Sequence, residues 1–534
     1  MAKFITLPGS RRTLLPNSRI AGPVNRSETI SFTVRVRSKG DLRELEQLVE
    51  TESHKPVSKR KYMTHAQFTT RYGSRQEDLA AVESYAAQHN LLVAHRSSAE
   101  RSVRLVGALG DVLRAFPANL HQYHHAFGTY RGRSGEIEMP DSLAGIVTGI
   151  FGLDTRPLRR TRMRRRVSAN GPGGDNGVAA TTFAQRYNFP TTFGGKALDG
   201  TGKNIGIIEL GGGYDVSDLS IYFSEVGVPM PNVVCVPVGA GNNPGPDPVS
   251  DGEVMLDIEV AGTVAPKANI VVYFGANTGG GFRDAISAAI HDDQRNLDVI
   301  SISWGSSEPP KADAEQELGD YHSLFVEAAS MGITVCAATG DHGTANDTSW
   351  DQGFHVNHPA CDPNVLACGG TQVDPASGDD IVWNDNQPFS PGIGDGGGWT
   401  TGGGISQCYP VPSYQAGIQM PPVLGGGTVG RGLPDLAMSA TNYFIRVDSG
   451  ESASGGTSAV APLVAALVAL IGQAKGKRIG LMQPILYANA AAFKDVTVGN
   501  NSIPESAPGY NAGPGWDACT GLGTPDGTAV MNLF

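Results

Sequence analysis

Three short stretches hold the side chains that could do covalent chemistry. Glu253 and Asp257, in GEVMLDIEVAG, stand four residues apart, so a helix would present both carboxyls on one face. Their neighbours Val254, Met255, Leu256, Ile258, Val260 and Ala261 are apolar, which points to a buried helix rather than a solvated one. Buried carboxyls are costly unless paired or protonated. Two that share a proton have pKa values split by mutual repulsion, which makes an acid/base pair. Ser458, in GGTSAVAPLVAALVALI, lies at or near the N-cap of the helix that the apolar run would form. The placement suits a capping serine. It also suits a nucleophile, because free N–H groups and the positive end of a helix dipole favour an oxyanion beside it. Asp341, in AATGDHG, follows an apolar segment at a Gly-flanked turn, where Asp is common for conformational reasons alone.

Other readings of these stretches fall away. The run Ala459–Gly472 is 14 residues long and contains Pro462, whereas a membrane-spanning helix needs about 20 apolar residues. Pro462 fits the first turn of a core helix, where a missing N–H costs little. A Ser–His–Asp hydrolase would need a histidine base, but the helix that would carry it has Glu253 and Asp257 instead. Beyond residue 154 the histidines are His291, His322, His342, His355 and His358, and only His342 adjoins a candidate residue. Cys235, Cys336, Cys361, Cys368, Cys408 and Cys519 include no CxxC pair, which argues against zinc. Cys361 and Cys368 could form a disulfide. Gly392–Gly397 matches G-x-G-x-x-G but follows no strand, so it does not mark a dinucleotide site.

These side chains need a scaffold, and the chain of 534 residues is long enough for more than one domain. From Lys203 onward, short apolar strands alternate with helical segments: KNIGIIEL, NVVCVPV, NIVVYF, LDVISISWG and ITVCAATGD. That alternation predicts an α/β domain with a doubly wound parallel sheet covered on both faces. Ligands bind beyond the carboxyl ends of such strands, where Glu209, Trp304 and Asp341 fall. Residues 28–153 alternate strands and helices and predict a separate α+β domain. Residues 1–27 are expected to be disordered, 154–178 to be a flexible linker, and 179–534 to form the second domain.

Charge divides the chain along the same line. Through Asn170 there are 28 basic and 15 acidic residues, a net of +13, and the remainder carries 13 and 37, a net of −24. A basic segment docked on an acidic domain explains this better than nucleic-acid binding, because the cluster RPLRRTRMRRR abuts the Gly-rich ANGPGGDNG and reads as a cleavable linker.

The order Glu253, Asp257, Asp341, Ser458, with TGDHG and GGTSAVAP around the last two, resembles the sedolisins, the serine-carboxyl peptidases, of the kumamolisin type. IGIIELGGGYD, SISWG, LACGGT and GPGWDACTGLGTPDG extend the likeness, and residues 28–153 resemble the family's activation prodomain. The resemblance implies a subtilisin-like catalytic domain and an acid-active endopeptidase made as a self-processing zymogen. It makes Ser458 the nucleophile, Glu253 the general base, Asp257 its partner and Asp341 a protonated donor to the oxyanion. Glu209 and Trp304 would extend the hydrogen-bond network behind the pair. It further implies one calcium ion held by the carboxylates of Asp495 and Asp517 and the carbonyls of Val496, Gly513 and Gly515, an all-oxygen set. A tripeptidyl-peptidase is the alternative within the family, and an inactive calcium-bound scaffold the alternative outside it. Protein or peptide substrates, the chain's own prodomain as inhibitor and a monomeric state are expected, with no membrane partner. Secretion is expected although no signal peptide is evident. Acidification is expected to weaken the charge attraction between the two parts, and the cut to fall between Asp154 and Val178.

Overall fold

The computed structural model describes residues 3–125, 128–156, 160–161, 164–166, 177–345, 353–386, 399–503 and 507–534. The Gly392–Gly397 match and most of the 154–178 linker lie outside these residues.

The acidic part is built on an eight-stranded sheet. From one edge, Asn232–Val238, Asn269–Gly275, Asn204–Glu209, Val299–Ile302, Thr334–Ala338 and Leu366–Val373 run parallel. Beyond Leu366–Val373 the sheet adds Leu436–Ser439 in parallel and Asp380–Val382 antiparallel. The central strands are continuous apolar runs because helices cover both faces. Pro248–Val264 and Thr457–Lys475 belong to the apolar layer on one face, and Gly279–Ile290 and Glu315–Ser330 to that on the other. The Thr457–Lys475 helix is long and apolar enough to cross a membrane, but 89% of its apolar stretch is buried inside the protein. It is a core helix.

The basic part forms two four-stranded sheets, one of Leu92–Ser97, Ser102–Ala108, Thr29–Val36 and Val147–Phe151 and one containing Gly128–Pro140. The expected disorder of residues 1–27 is corrected here for residue 3 onward. Phe4–Thr6 pairs with Gly128–Pro140, Arg19–Pro23 pairs with Ala118–His125, and Leu7 and Leu15 are buried. Low helical periodicity hid two edge strands that are ordered by the sheet they join.

The linker also departs from the expectation. Arg160–Thr161 pairs antiparallel with Trp304–Ser307, and Arg164–Arg166 pairs antiparallel with Gly450–Gly455. These five residues lie as strands across the carboxyl ends of the central sheet. No disulfide joins Cys361 to Cys368. Both are buried free thiols, Cys361 near Cys408 and Glu308, Cys368 against Cys336.

Where the two parts meet, charges are buried. Arg35 of the Thr29–Val36 strand reaches Asp320 at 2.8 Å and Glu327 at 3.1 Å, and Arg101 also pairs with Glu327. Arg283 holds Asp320 from the other side at 2.7 Å. The arginines keep the pKa values of Glu327 and Asp320 below the ordinary carboxylate range, against the opposing effect of burial. Both therefore keep their charge to lower pH than free carboxylates do, which opposes the expected loosening by acid at this contact.

Candidate active site

Ser458 is the second residue of the Thr457–Lys475 helix, whose N-cap is Gly456 at φ 103°. That left-handed conformation suits glycine and turns the incoming Gly450–Gly455 strand sharply into the helix. Ser458 makes no capping bond. Its hydroxyl points towards the Ser303 carbonyl at 3.5 Å, leaving it available for other chemistry.

The Pro248–Val264 helix packs against the Ser458 helix and carries Glu253 and Asp257, both fully buried. Asp257 accepts the Ser303 hydroxyl at 2.8 Å on each oxygen. Glu253 sits beside the Ser458 hydroxyl, yet neither of its oxygens has a hydrogen bond within 3.5 Å among the described residues. No Glu253–Asp257 hydrogen bond is formed. Glu209, at the carboxyl end of its strand, accepts the Trp304 indole N–H at 2.7 Å. Glu209, Glu253 and Asp257 are thus three buried carboxyls without a basic partner among the described residues.

Desolvation pushes the pKa of all three well above the ordinary carboxylate value. Asp257 adds to the rise at Glu253 and Glu209, while the Trp304 and Ser303 hydrogen bonds offset part of it at Glu209 and Asp257. Such a trio holds protons in mildly acidic water rather than ionising together.

Asp341 follows the Thr334–Ala338 strand and is buried against the start of the Ser458 helix. Its Oδ1 accepts the Thr457 N–H at 2.9 Å and the Thr457 hydroxyl at 2.7 Å, and Thr457 Oγ1 accepts the Gly340 N–H at 3.0 Å. The structure therefore brings together Ser458, Glu253, Asp257, Asp341, Glu209 and Trp304. Sequence reasoning missed Ser303 and Thr457, which join the elements. Each adjoins a residue it did single out, Trp304 and Ser458, and that adjacency was the only signal.

The linker strands pass over this spot. Thr161 lies opposite Trp304, the neighbour of Ser303, and Arg164 lies opposite Gly455, three residues before Ser458. An extended chain is thus held on both sides of the Ser458 hydroxyl, in the antiparallel pairing that peptides use to bind along a strand edge.

The calcium candidates lie far along the chain. Asp495 accepts the Gly515 N–H at 2.8 Å, and Asp517 accepts the N–H groups of Gly513, Cys519 and Thr520 at 3.1, 2.9 and 2.9 Å. Both carboxylates converge on the Gly513–Gly515 turn, and no basic side chain pairs with either among the described residues. Two carboxylates without a basic partner fit a hard divalent cation.

Comparison with known proteins identifies the family. Residues 16–156 match the model of the pro-kumamolisin activation domain, and residues 234–501 match that of the subtilase family. The chain is 41% identical to kumamolisin of Bacillus sp. (strain MN-32), over 99% of this chain and 96% of that one. It is 28% identical to tripeptidyl-peptidase sed5 of Aspergillus fumigatus, over 98% and 96%. Among solved structures it resembles Pseudomonas sedolisin complexed with pseudo-iodotyrostatin, with a TM-score of 0.57 and 27% identity, over 67% of this chain and 98% of that one.

Proposed function

The chain belongs to the sedolisin family of serine peptidases, as a kumamolisin-like precursor with a prodomain, and from that premise we propose an acid-active serine-carboxyl endopeptidase that cuts its own linker. The observation that carries the proposal is the convergence of Ser458, Glu253 and Asp341 beneath a chain paired on both sides of the Ser458 hydroxyl.

In this reading the Ser458 hydroxyl oxygen attacks the carbonyl carbon of the scissile peptide, and its proton passes to Glu253. The tetrahedral oxyanion is stabilised by the Ser458 backbone N–H, which has no acceptor within its helix, and by a proton held on Asp341. Glu253 then returns its proton to the leaving amine, the C–N bond breaks, and water repeats the sequence on the ester. Asp257 tunes Glu253 through charge, and is itself fixed by Ser303. Glu209, held by Trp304, adds a further buried carboxyl to the same coupled set.

An endopeptidase fits better than a tripeptidyl-peptidase. The linker enters from the prodomain as a continuous chain, so the acyl side of the cleft accepts polypeptide without a free amine close to the cut. The linker cut is proposed between Thr161 and Arg164. Calcium, held by Asp495 and Asp517 with the carbonyls of Val496, Gly513 and Gly515, would brace the C-terminal loops of the folded domain and take no part in the chemistry. The test is incubation of purified precursor at pH 4 and pH 7, with sequencing of the new N-terminus. Cleavage at pH 4 that vanishes in Ser458→Ala supports the reading, and equal maturation of Ser458→Ala refutes it.

A further inference from the structure

We infer that Glu259 is a positioning residue: it fixes the hairpin that holds the amine side of the substrate, so that cleavage depends on the residues that follow the cut. The inference rests on the peptidase reading above and deepens it by naming what the cleft asks of a substrate, a chain that continues past the scissile bond.

The strand Gly450–Gly455, whose Gly455 and Ala453 lie opposite Arg164 and Arg166 of the linker, is one half of a hairpin. The other half is Tyr443–Val447. The turn between them, Asp448 and Ser449, has φ of 52° and 61°, the left-handed pair that closes a two-residue hairpin. Val447 and Gly450 are then the closing hydrogen-bonded pair, and alternation leaves Arg446 and Glu451 opposite each other without mutual bonds. The Arg446 N–H therefore points out of the ribbon, on the edge away from the linker. There it donates to Glu259, at 3.1 Å to Oε2 and 3.3 Å to Oε1.

Glu259 belongs to the helix of Glu253 and Asp257 and is fully buried. It stands two residues beyond Asp257, and two positions turn a helical side chain by about 200°, away from the catalytic pair. The two bonds from Arg446 are its only hydrogen bonds among the described residues. Burial pushes its pKa well above the ordinary carboxylate value. A carboxyl in such a place is costly, and its acceptor oxygens are what an apolar side chain could not supply. They tie the catalytic helix to the ribbon. A second tie comes from Asp218 of the Val216–Glu225 helix, which accepts the Ser449 N–H at 2.8 Å and the Arg446 Nε–H at 3.0 Å. The ribbon is thus held at its turn and at its outer strand, and its other edge is left to the substrate.

Pairing along a strand edge binds a peptide through its main chain. Binding energy gained away from the reacting bond can be used to lower the barrier at it. In the linker, Arg160–Thr161 precede the proposed cut and pair with Trp304–Ser307, while Arg164–Arg166 follow it and pair with the ribbon. The ribbon therefore serves the amine side alone. Loosening it penalises a substrate only as far as that substrate continues past the cut.

The test uses the full chain, matured in acid, and two peptides built on a cut site mapped in a denatured protein and assayed at acidic pH. Both share the acyl side. One ends as an amide after a single residue beyond the cut, and the other continues for several more. In the wild type, kcat/KM should favour the longer peptide by about tenfold or more. In Glu259→Leu, which keeps the bulk and removes the acceptor, that ratio should fall to about one. In Glu259→Gln, which keeps a carbonyl oxygen for the Arg446 N–H, it should stay near the wild-type value. A ratio near one in the wild type overturns the inference. So does a ratio that survives in Glu259→Leu, including equal loss on both peptides, which is what a merely structural role would give. A ratio lost in Glu259→Gln overturns it too, because the acceptor is still there. Should Glu259→Leu fail to fold, Asp218→Ala releases the same ribbon at its turn and should lower the same ratio, and an unchanged ratio there also overturns the inference. Absence of all peptide cleavage by the wild type would instead defeat the peptidase reading, and this inference with it.

Discussion

Replacing Arg35 with methionine in a Ser458→Ala precursor should loosen the prodomain at pH 7 and much less at pH 4. Arg35 is buried between Asp320 and Glu327, at 2.8 and 3.1 Å. Methionine keeps an apolar stem of comparable length and removes the charge. Removing one partner of a buried ion pair costs about 3–5 kcal/mol, because the remaining charge is left uncompensated. Arg101 still faces Glu327 and Arg283 still faces Asp320, so the low end of about 3 kcal/mol applies, roughly a hundredfold more of the open form. The pH dependence follows from the direction of the shifts. Glu327 and Asp320 have depressed pKa values in the folded precursor, so their contribution is complete above their unfolded values of about 4 and is lost only as pH falls through the lower folded ones. Between pH 7 and pH 4 the parent should change little through these groups. In Arg35→Met both carboxylates lose a partner and their folded pKa values rise, so protonation on the way to pH 4 relieves the penalty. Hydrogen exchange of the Ser102–Ala108 strand, whose neighbour carries Arg35, measures the opening directly. Protection should drop about a hundredfold at pH 7 and clearly less at pH 4. A drop under fivefold at pH 7, or an equal drop at both pH values, would refute the reasoning.

Glu253→Gln should cut kcat by about 10²- to 10⁴-fold while leaving thermal stability near that of the parent or above it, because a buried carboxyl without a hydrogen bond is exchanged for a neutral group; a variant of undiminished activity would remove Glu253 from the mechanism. The pH–rate profile of the matured enzyme should be bell-shaped with its maximum below pH 7, falling on the alkaline side as the coupled Glu253–Asp257 set loses its retained proton; an optimum above pH 7 would refute the acid-active reading. Calcium at a hundred times its Kd should raise stability by about 2.7 kcal/mol, read as a higher unfolding midpoint than in chelator, and Asp517→Ala should abolish the difference. The new N-terminus made at pH 4 should lie at Arg162, Met163 or Arg164, and one outside that window would show that the paired linker is not bound as a substrate.

The sheet was legible because its strands are near-continuous apolar runs of parallel type, and Asn232–Val238 falls on the stretch NVVCVPV read from the sequence. The candidate residues were legible because each interrupts an apolar run with a polar group, as Glu253 and Asp257 do. What escaped was everything set by pairing between distant segments. Phe4–Thr6 and Arg19–Pro23 have too little pattern of their own to announce a strand and take their order from Gly128–Pro140 and Ala118–His125. The Arg-rich linker likewise reads as solvated coil in the sequence, which does not announce its pairing with the backbone edges of Trp304–Ser307 and Gly450–Gly455. Ser303 escaped for a third reason. A lone serine between strands is ordinary in sequence and gains meaning only from the 2.8 Å bonds to Asp257 on a helix 46 residues away.

These omissions bear on how acid could start the enzyme. A bulk-charge view has the +13 and −24 parts drift apart as carboxylates protonate. The structure argues for a different order of events. At the core of the interface, Glu327 and Asp320 are held ionised by Arg35, Arg101 and Arg283, so the grip there persists at pH 4. Glu253 and Asp257 are shifted in the opposite direction by desolvation and mutual repulsion, and they change protonation before the interface does. Burial raises one group of carboxyls and neighbouring arginines lower the other, so a fall in pH reaches the chemistry while the linker is still seated. On this view the cut comes first and release follows from it. The uncut Ser458→Ala precursor should therefore stay docked at pH 4, with its prodomain as protected from exchange as at pH 7, and a prodomain that detaches without cleavage would reverse the order.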